Sequence, residues 1–346
     1  MIDRRARRDR IIETIVSEFI ETAQPVSSTY VARSCGLGVS PATVRNVMKD
    51  LEDEGYLTQP HTSAGRLPTI KCYRYYVSHI MPDIDKTDDE IREAKRLVEN
   101  VLREHDAEVF MNHIAGVLSE VTDLIGIIMS PSFDRGVFDR LEIVSMGGST
   151  FLVILSLKAG IVKTINVTIN RVIPRIRIEE TARLITGRLH GLSVAEIKET
   201  IGTRLKGITG GDRSLFDVIL DRKHDIFTFD NEKLLHVSGL SRLLSLPEFE
   251  QGDSTVKLVD LVERKSEIAG MLDSLTGLGS DVNIRIGSND FWDSPPPLSL
   301  VSASFHHEDA HGAVAVIGPT RIHYPKMRAI VRYTAQVASH FFTQDK

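Results

Sequence analysis

The sequence is poor in several features, and each absence narrows what the chain is able to be. Cysteine occurs only twice in 346 residues, at Cys35 and Cys72, which leaves no disulfide framework and no Cys-based zinc site. No run of about eighteen uncharged apolar residues is present. The best candidate, Phe151 to Val162, contains Lys158 and Gly160 and is too short to span a bilayer. Met1-Ile2-Asp3-Arg4-Arg5 is not followed by an apolar stretch of signal-peptide type. Together these absences lead us to expect a cytoplasmic protein with no membrane association. Catalytic signatures are missing too: no P-loop, Gly-x-Ser-x-Gly elbow, His-Glu-x-x-His or Gly-x-Gly-x-x-Gly occurs in its required context. No internal repeat is visible. The composition, 42 % apolar and 26 % charged, excludes collagen-like, mucin-like and globally disordered chains. The length suits two or three domains.

The formal net charge of −5 averages over unlike parts. Residues 1–77 hold 11 of the 42 Lys and Arg and 9 of the 47 Asp and Glu, a net of +2, which leaves −7 for the remainder. A locally basic N-terminal region on an acidic body is the asymmetry to pursue.

That region reads as short helices. Ile11, Ile12, Ile15, Val16, Phe19 and Ile20 form one apolar stripe at helical spacing. Pro25 ends the pattern, and Ser27 or Ser28 is placed to cap a second helix through Tyr30, Val31 and Ala32. Gly36 and Gly38 supply a turn. Ser40-Pro41 then gives a cap followed by proline at the first helical position, starting a third helix that ends at Gly55. Two short strands, Tyr56–Gln59 and Leu67–Thr69, flank the polar loop Pro60 to Arg66. Helix, helix, turn, helix, hairpin is the order of a winged helix-turn-helix.

In the third helix Val44, Val47, Met48 and Leu51 repeat at i, i+3, i+4 and i+7 and define the buried side. Ala42, Thr43, Arg45, Asn46 and Lys49 fall away from it. These residue types suit the DNA major groove: arginine pairs with guanine, asparagine with adenine, and alanine or threonine meets the thymine methyl. We expect Arg45, Asn46 and Thr43 to read bases. Ser40, Lys49, His61, Thr62, Ser63 and Arg66 are expected to hold phosphate or the minor groove. Arg4, Arg5, Arg7, Arg8 and Arg10 crowd a helix N-terminus, where the macrodipole disfavours cations, and a phosphate contact accounts for that arrangement.

Further on, residues 78–90 are polar and suggest a linker. Amphipathic helices follow through Ile91–Leu102 and Val109–Val121. From Leu141 the period changes to two, and Leu141–Met146, Thr150–Leu157 and Ile161–Ile169 read as an antiparallel meander. Residues 179–223 are helical, with a capping box at Ser193–Glu196. A strand is expected at Asp225–Phe229, helices at Val237–Leu246 and Val256–Leu275, and strands at Val282–Ile286, Leu298–Phe305 and Gly312–Ile317. A helix over Tyr324–Phe342 closes the chain. Strands at 141–169 and 282–317 with helix between them suggest an α+β domain carrying an inserted subdomain. His306, His307 and His311, with Glu308 and Asp309, have the composition of a metal site but sit between two expected strands, so they read as an exposed hairpin loop. No cofactor, metal or catalytic constellation is expected.

Four stretches are specific to one family. Ser40 to Asn46, Leu51 to Leu57, Pro60-His61-Thr62-Ser63-Ala64-Gly65-Arg66-Leu67-Pro68-Thr69 and Tyr73-Arg74-Tyr75-Tyr76-Val77 closely resemble the HrcA family of bacterial heat-inducible transcription repressors. Ser238-Gly239-Leu240 with Pro247-Glu248-Phe249, and Ile317 to Tyr324, are similar to its later signatures. Cys72, Ile322 and the segment Gly287-Ser288-Asn289-Asp290 depart from the family pattern, away from the third helix. The resemblance implies a homodimer that binds the CIRCE inverted repeat ahead of chaperone operons and depends on the chaperonin GroEL. It further implies a winged helix-turn-helix at 1–77, a linker at 78–90, and a GAF-like domain at 91–175 and 251–346, interrupted by a dimerising insert at 176–250. The alternative is a transcription regulator that senses a small molecule in the GAF-like domain.

Overall fold

The computed structural model of the chain describes residues 3–61, 64–82, 89–104, 106–132, 136–158, 162–227, 235–249, 252–275, 281–287, 297–307 and 310–344. The first apolar stripe forms α1 (Arg4–Thr22) and buries Ile11, Ile12, Ile15 and Val16 completely. α2 (Ser28–Ser34) starts where the Ser27 hydroxyl accepts the Tyr30 amide. α3 (Pro41–Asp53) starts where the Ser40 hydroxyl accepts the Thr43 amide, and Gly55 ends it with φ 78°. β1 (Leu57–Thr58) and β2 (Leu67–Pro68) pair antiparallel. α4 (Ile70–Tyr75) continues into one π-helical turn, Tyr76–Ile80. Helical backbone thus reaches into the stretch expected to be a linker. Residues 83–88 of that stretch lie outside the described residues, and α5 (Asp89–Asn100) begins within it.

α6 (Ala107–Thr122) leads to β3 (Ile125–Ser132), then the meander β4 (Phe138–Gly147), β5 (Thr150–Leu157) and β6 (Val162–Thr168). Helices α7 (Arg175–Leu189), α8 (Val194–Arg204), α9 (Arg213–Asp221) and α10 (Lys223–Phe227) follow, and Ser193 and Glu196 close the expected capping box at α8. The chain continues through β7 (Leu235–Ser238), α11 (Leu240–Leu244), α12 (Gly252–Glu263) and α13 (Lys265–Leu275). It ends with β8 (Asn283–Ile286), β9 (Leu298–His307), β10 (Ala310–Pro319) and α14 (Tyr324–Gln344).

The strands sort into two larger sheets, and here the structure corrects the sequence reading. One is a five-stranded antiparallel sheet in the order β7-β3-β10-β9-β8; the meander forms a separate sheet, β4-β5-β6. The meander therefore does not join the strands of 282–317. It packs with α7 to α10 around a second core that runs from Phe138 to Phe227. The second core thus takes in β4 to β6, which precede residue 176, while β7 pairs with β3 in the five-stranded sheet.

Of four local differences, three have physical causes. β3 lacks an alternating pattern because it is a central strand with both faces covered: Ile125, Ile127, Ile128 and Met129 are all buried. The strand expected at Asp225–Phe229 is instead α10 up to Phe227, where Ile226 and Phe227 are driven together into the second core; residues 228 and 229 lie outside the described residues. The helix expected over Val237–Leu246 is split by Gly239 into β7 and α11. Its φ is 94°, and an added Cβ would stand 1.9 Å from the Ser119 hydroxyl and 2.6 Å from the Leu124 carbonyl oxygen. Likewise the helix expected over Val256–Leu275 breaks at Arg264.

The first core is continuous from α1 through α4, α6 and the five-stranded sheet to α14. No described helix is long and apolar enough to cross a membrane.

Candidate nucleic-acid interface

α3 is built to present one face and hide the other. Val44, Met48 and Leu51 are buried and Val47 is half-buried, which anchors the helix by about 1.5–3 kcal/mol for each fully buried side chain. The Ser40 cap adds about 1 kcal/mol. Ala42, Asn46, Lys49 and Asp53, at i, i+4, i+7 and i+11, form an exposed outward row. Arg45 is exposed beside it, and Thr43 is half-exposed with its hydroxyl 3.0 Å from that of Ser40. The row changes sign along its length. Along the exposed side of α3, Arg45, Asn46 and Lys49 come first, and Asp50 and Asp53 follow. An anionic ligand is favoured over the first two turns only.

Each flank of that row borders a groove. On the side of Arg45 and Met48 lies a groove of about 430 Å³, whose other walls are Ser27, Ser28 and Thr29 of the α2 start and Gln59, Ala64, Gly65 and Arg66 of the β1–β2 hairpin. The hairpin is pinned at several points. Val26 and Arg66 exchange two backbone hydrogen bonds of 2.9 Å, Gln59 Nε2 donates to the Ala64 carbonyl, and Arg66 Nε donates to Glu52 at 2.9 Å. Gly65 passes so close to Val26 that a Cβ there would stand 2.4 Å from its carbonyl oxygen. His61 is exposed on the loop; Thr62 and Ser63 lie outside the described residues.

On the side of Val47, Asp50 and Glu54 a second cavity, about 310 Å³, is walled by Arg4, Arg7 and Arg8 of α1. The structure divides the arginine run by role. Arg8 pairs with Glu54 at 2.8 Å and lies over the Tyr56 ring, 4.8 Å from its centroid. Arg10 donates to the Cys35 carbonyl and to Glu13. Both are internal fasteners. Arg4 is 94 % exposed and only 3.9 Å from Asp50, and Arg7 has no side-chain partner among the described residues.

The described residues among those expected at the site therefore meet on one surface. Ala42, Arg45, Asn46, Lys49 and His61 are exposed on it, as is Ser40, whose hydroxyl caps α3. Arg66 lines the groove but is turned inward, only 17 % exposed, with its Nε committed to Glu52. It positions the hairpin. Sequence reasoning did not place Ser28 and Thr29 on this groove; Ser28 was weighed only as a cap and Thr29 was not singled out. It also left Arg4 and Arg7 undivided from Arg8 and Arg10. Cys72 is buried, and burial pushes its thiol up to about 12. His306 and His311 face each other in register across the β9–β10 hairpin with their Nδ1 atoms 2.5 Å apart, while Glu308 and Asp309 lie outside the described residues.

Comparison with known proteins identifies the family. Residues 108–327 match the family model described as HrcA protein C terminal domain. Heat-inducible transcription repressor HrcA from Prosthecochloris aestuarii is 34 % identical over 357 residues, covering 99 % of this chain and 98 % of its own. Its counterpart from Chlorobium phaeobacteroides strain BS1 is 33 % identical over 343 residues, covering 96 % and 97 %. That of Chlorobium phaeovibrioides is 34 % identical over 342 residues, covering 95 % of each. A crystal structure of a hypothetical protein at 2.2 Å resolution superposes over 100 % of both chains with a TM-score of 0.59 at 23 % identity, a likeness of fold alone. A family model spanning well over half of the sequence, and relatives a third identical along nearly its whole length, show that the chain belongs to the HrcA family of heat-inducible transcription repressors.

Proposed function

We propose that this repressor acts as a homodimer in the cytoplasm, without catalysis. Its two N-terminal winged helix-turn-helix domains bind the halves of a CIRCE-type inverted repeat ahead of chaperone operons. α3 enters the major groove. Arg45 and Asn46 read base edges there, Ala42 and the Thr43 methyl meet thymine, and Lys49 contacts phosphate. The wing, whose loop sequence carries His61, Thr62 and Ser63, reaches phosphate or the minor groove, held in place by Arg66 on Glu52. Arg4 and Arg7 serve the strand on the opposite side of the helix. The observation that carries this reading is the outward row of α3 with a groove along each flank, one polar and rich in hydroxyls, the other walled by Arg4, Arg7 and Arg8 facing Val47, Asp50 and Glu54. Such a pair suits the two backbones that border a major groove about 12 Å wide.

The five-stranded unit is taken as the GAF-like domain and the second core as the dimerising insert. Met146, Val162, Val172 and Ile176, 62 %, 57 %, 85 % and 74 % exposed, support a protein contact on that insert. The chaperonin GroEL keeps the repressor active, and its diversion to heat-damaged proteins releases the operon. A mobility-shift assay with a CIRCE-type duplex, with and without chaperonin and across temperature, tests the reading. It expects a specific complex that chaperonin strengthens; no specific shift under any condition refutes it.

A further inference from the structure

Several of the recognised motifs take no part in the reading face: Tyr73-Arg74-Tyr75-Tyr76, Pro247-Glu248-Phe249, Gly287, and Arg321-Ile322-His323-Tyr324. The fold brings them to one place, the seam between the N-terminal domain and the five-stranded sheet. Arg321, just ahead of α14, donates from Nε to Glu248 at 2.6 Å and from Nη1 to the Ile20 carbonyl at 2.7 Å. The ion pair is largely enclosed, its side chains 18 % and 23 % exposed. Ile20 lies in the last turn of α1, where helix carbonyls lack intrahelical partners and the negative end of the dipole favours a cation. That turn has no basic residue of its own. A guanidinium 301 positions away supplies one.

A second anchor uses the opposite donor direction. Arg74 of α4 donates from Nε to the Ile286 carbonyl at 2.9 Å and from Nη2 to the Gly287 carbonyl at 2.5 Å, at the end of β8. Gly287 has φ 48°, and a Cβ there would stand 2.9 Å from Ile70 Cδ1 of α4, so the approach is close. Tyr73 and Tyr324, with ring centroids 5.9 Å apart, join the two anchors. The second carboxylate oxygen of Glu248 and the Tyr73 hydroxyl are buried without a hydrogen-bond partner among the described residues. Removing Arg321 would leave a buried charge uncompensated there, so the seam would have to open to water.

We infer that this seam fixes the angle of α3 relative to the body, making Arg321, Glu248 and Arg74 positioning residues for binding two operator halves at once. The inference rests on the proposed dimeric reading. Two reading helices on a symmetric dimer must match half-sites about one helical turn, or a multiple of it, apart. A domain that swivels on its single connection still finds one half-site, but loses the gain from simultaneous engagement, a factor of about 10²–10⁴ when geometry permits it.

The test uses the full chain. Wild type, Arg321→Gln, Glu248→Gln and Arg74→Gln are titrated by fluorescence anisotropy against a single half-site, the inverted repeat, and repeats whose spacer is lengthened one base pair at a time through half a helical turn. Expected are half-site affinity within about twofold of wild type, inverted-repeat affinity reduced by about tenfold or more, and a flatter dependence on spacer length. Inverted-repeat affinity and a spacer profile equal to wild type overturn the inference. If the glutamine variants do not fold, Arg321→Lys, which keeps the cation but not the two-way donation, is read on the same duplexes; an unaltered profile in it overturns the inference equally. Wild type showing no preference for the repeat over one half-site refutes the dimeric reading, and the seam's role with it.

Discussion

Gly65→Ala is the sharpest test of how the wing is held. The backbone at Gly65 is not left-handed, so alanine meets no torsional objection. The objection is contact: its Cβ would stand 2.4 Å from the Val26 carbonyl oxygen and 2.5 Å from the Val26 carbonyl carbon. Both are backbone atoms, so no rotamer relieves the clash and the hairpin must move away from Val26. That movement stretches the two 2.9 Å hydrogen bonds between Val26 and Arg66. At about 0.5–1.5 kcal/mol net for each, the cost is about 1–3 kcal/mol of stability. It also draws Arg66 off Glu52, now 2.9 Å away. α3 itself is untouched. Thermal or urea unfolding should therefore show the destabilisation, while anisotropy titrations show operator affinity falling by one common factor for the operator and for its single-base variants. Unchanged stability together with unchanged affinity would refute the close approach of wing and α2 start. A loss confined to particular base pairs would refute the division between a reading helix and a supporting wing.

Arg45→Ala should leave stability within about 0.5 kcal/mol, because the side chain is exposed. It should cost about 1–3 kcal/mol of discrimination at one base pair in a panel of single-base operator variants; an unchanged pattern across the panel removes it from the reading set. Lys49→Ala should weaken binding to all sequences alike and lower the slope of log affinity against log salt by about one contact, a claim that an identical slope would contradict. Cys72, with its thiol pushed up to about 12 by burial, should resist a thiol-specific reagent at pH 8 in the native protein and react on unfolding; rapid native labelling of this residue, located by peptide mapping, would contradict its burial.

The N-terminal domain was legible in the sequence because its signals are local and agree with one another. Ser27 and Ser40 cap the helices they precede, Pro41 and Gly55 bound α3, and helical phase alone separates Val44, Met48 and Leu51 from Arg45, Asn46 and Lys49. Sheet membership was not legible. Alternation in β4, β5 and β6 says that one face is buried, but not against what, and the partners α7 to α10 follow in sequence without announcing the shared core. β3 escaped because a strand covered on both faces has no alternation to detect. Within the site, exposure followed from helical phase, whereas the turning of Arg66 onto Glu52 and of Arg8 onto Glu54 and Tyr56 depends on side chains brought together only by the tertiary fold. No periodicity encodes such pairs.

The central claim is that the outward face of α3 reads DNA. The most direct measurement titrates the full-length protein against a CIRCE-type inverted repeat and a scrambled duplex of equal length, at two salt concentrations, alongside the double variant Arg45→Ala, Asn46→Ala. Saturable preference of wild type for the repeat at both salts, with the double variant binding both duplexes alike and retaining wild-type stability, is the predicted result. Equal binding of wild type to both duplexes, or a double variant that still prefers the repeat, would contradict it.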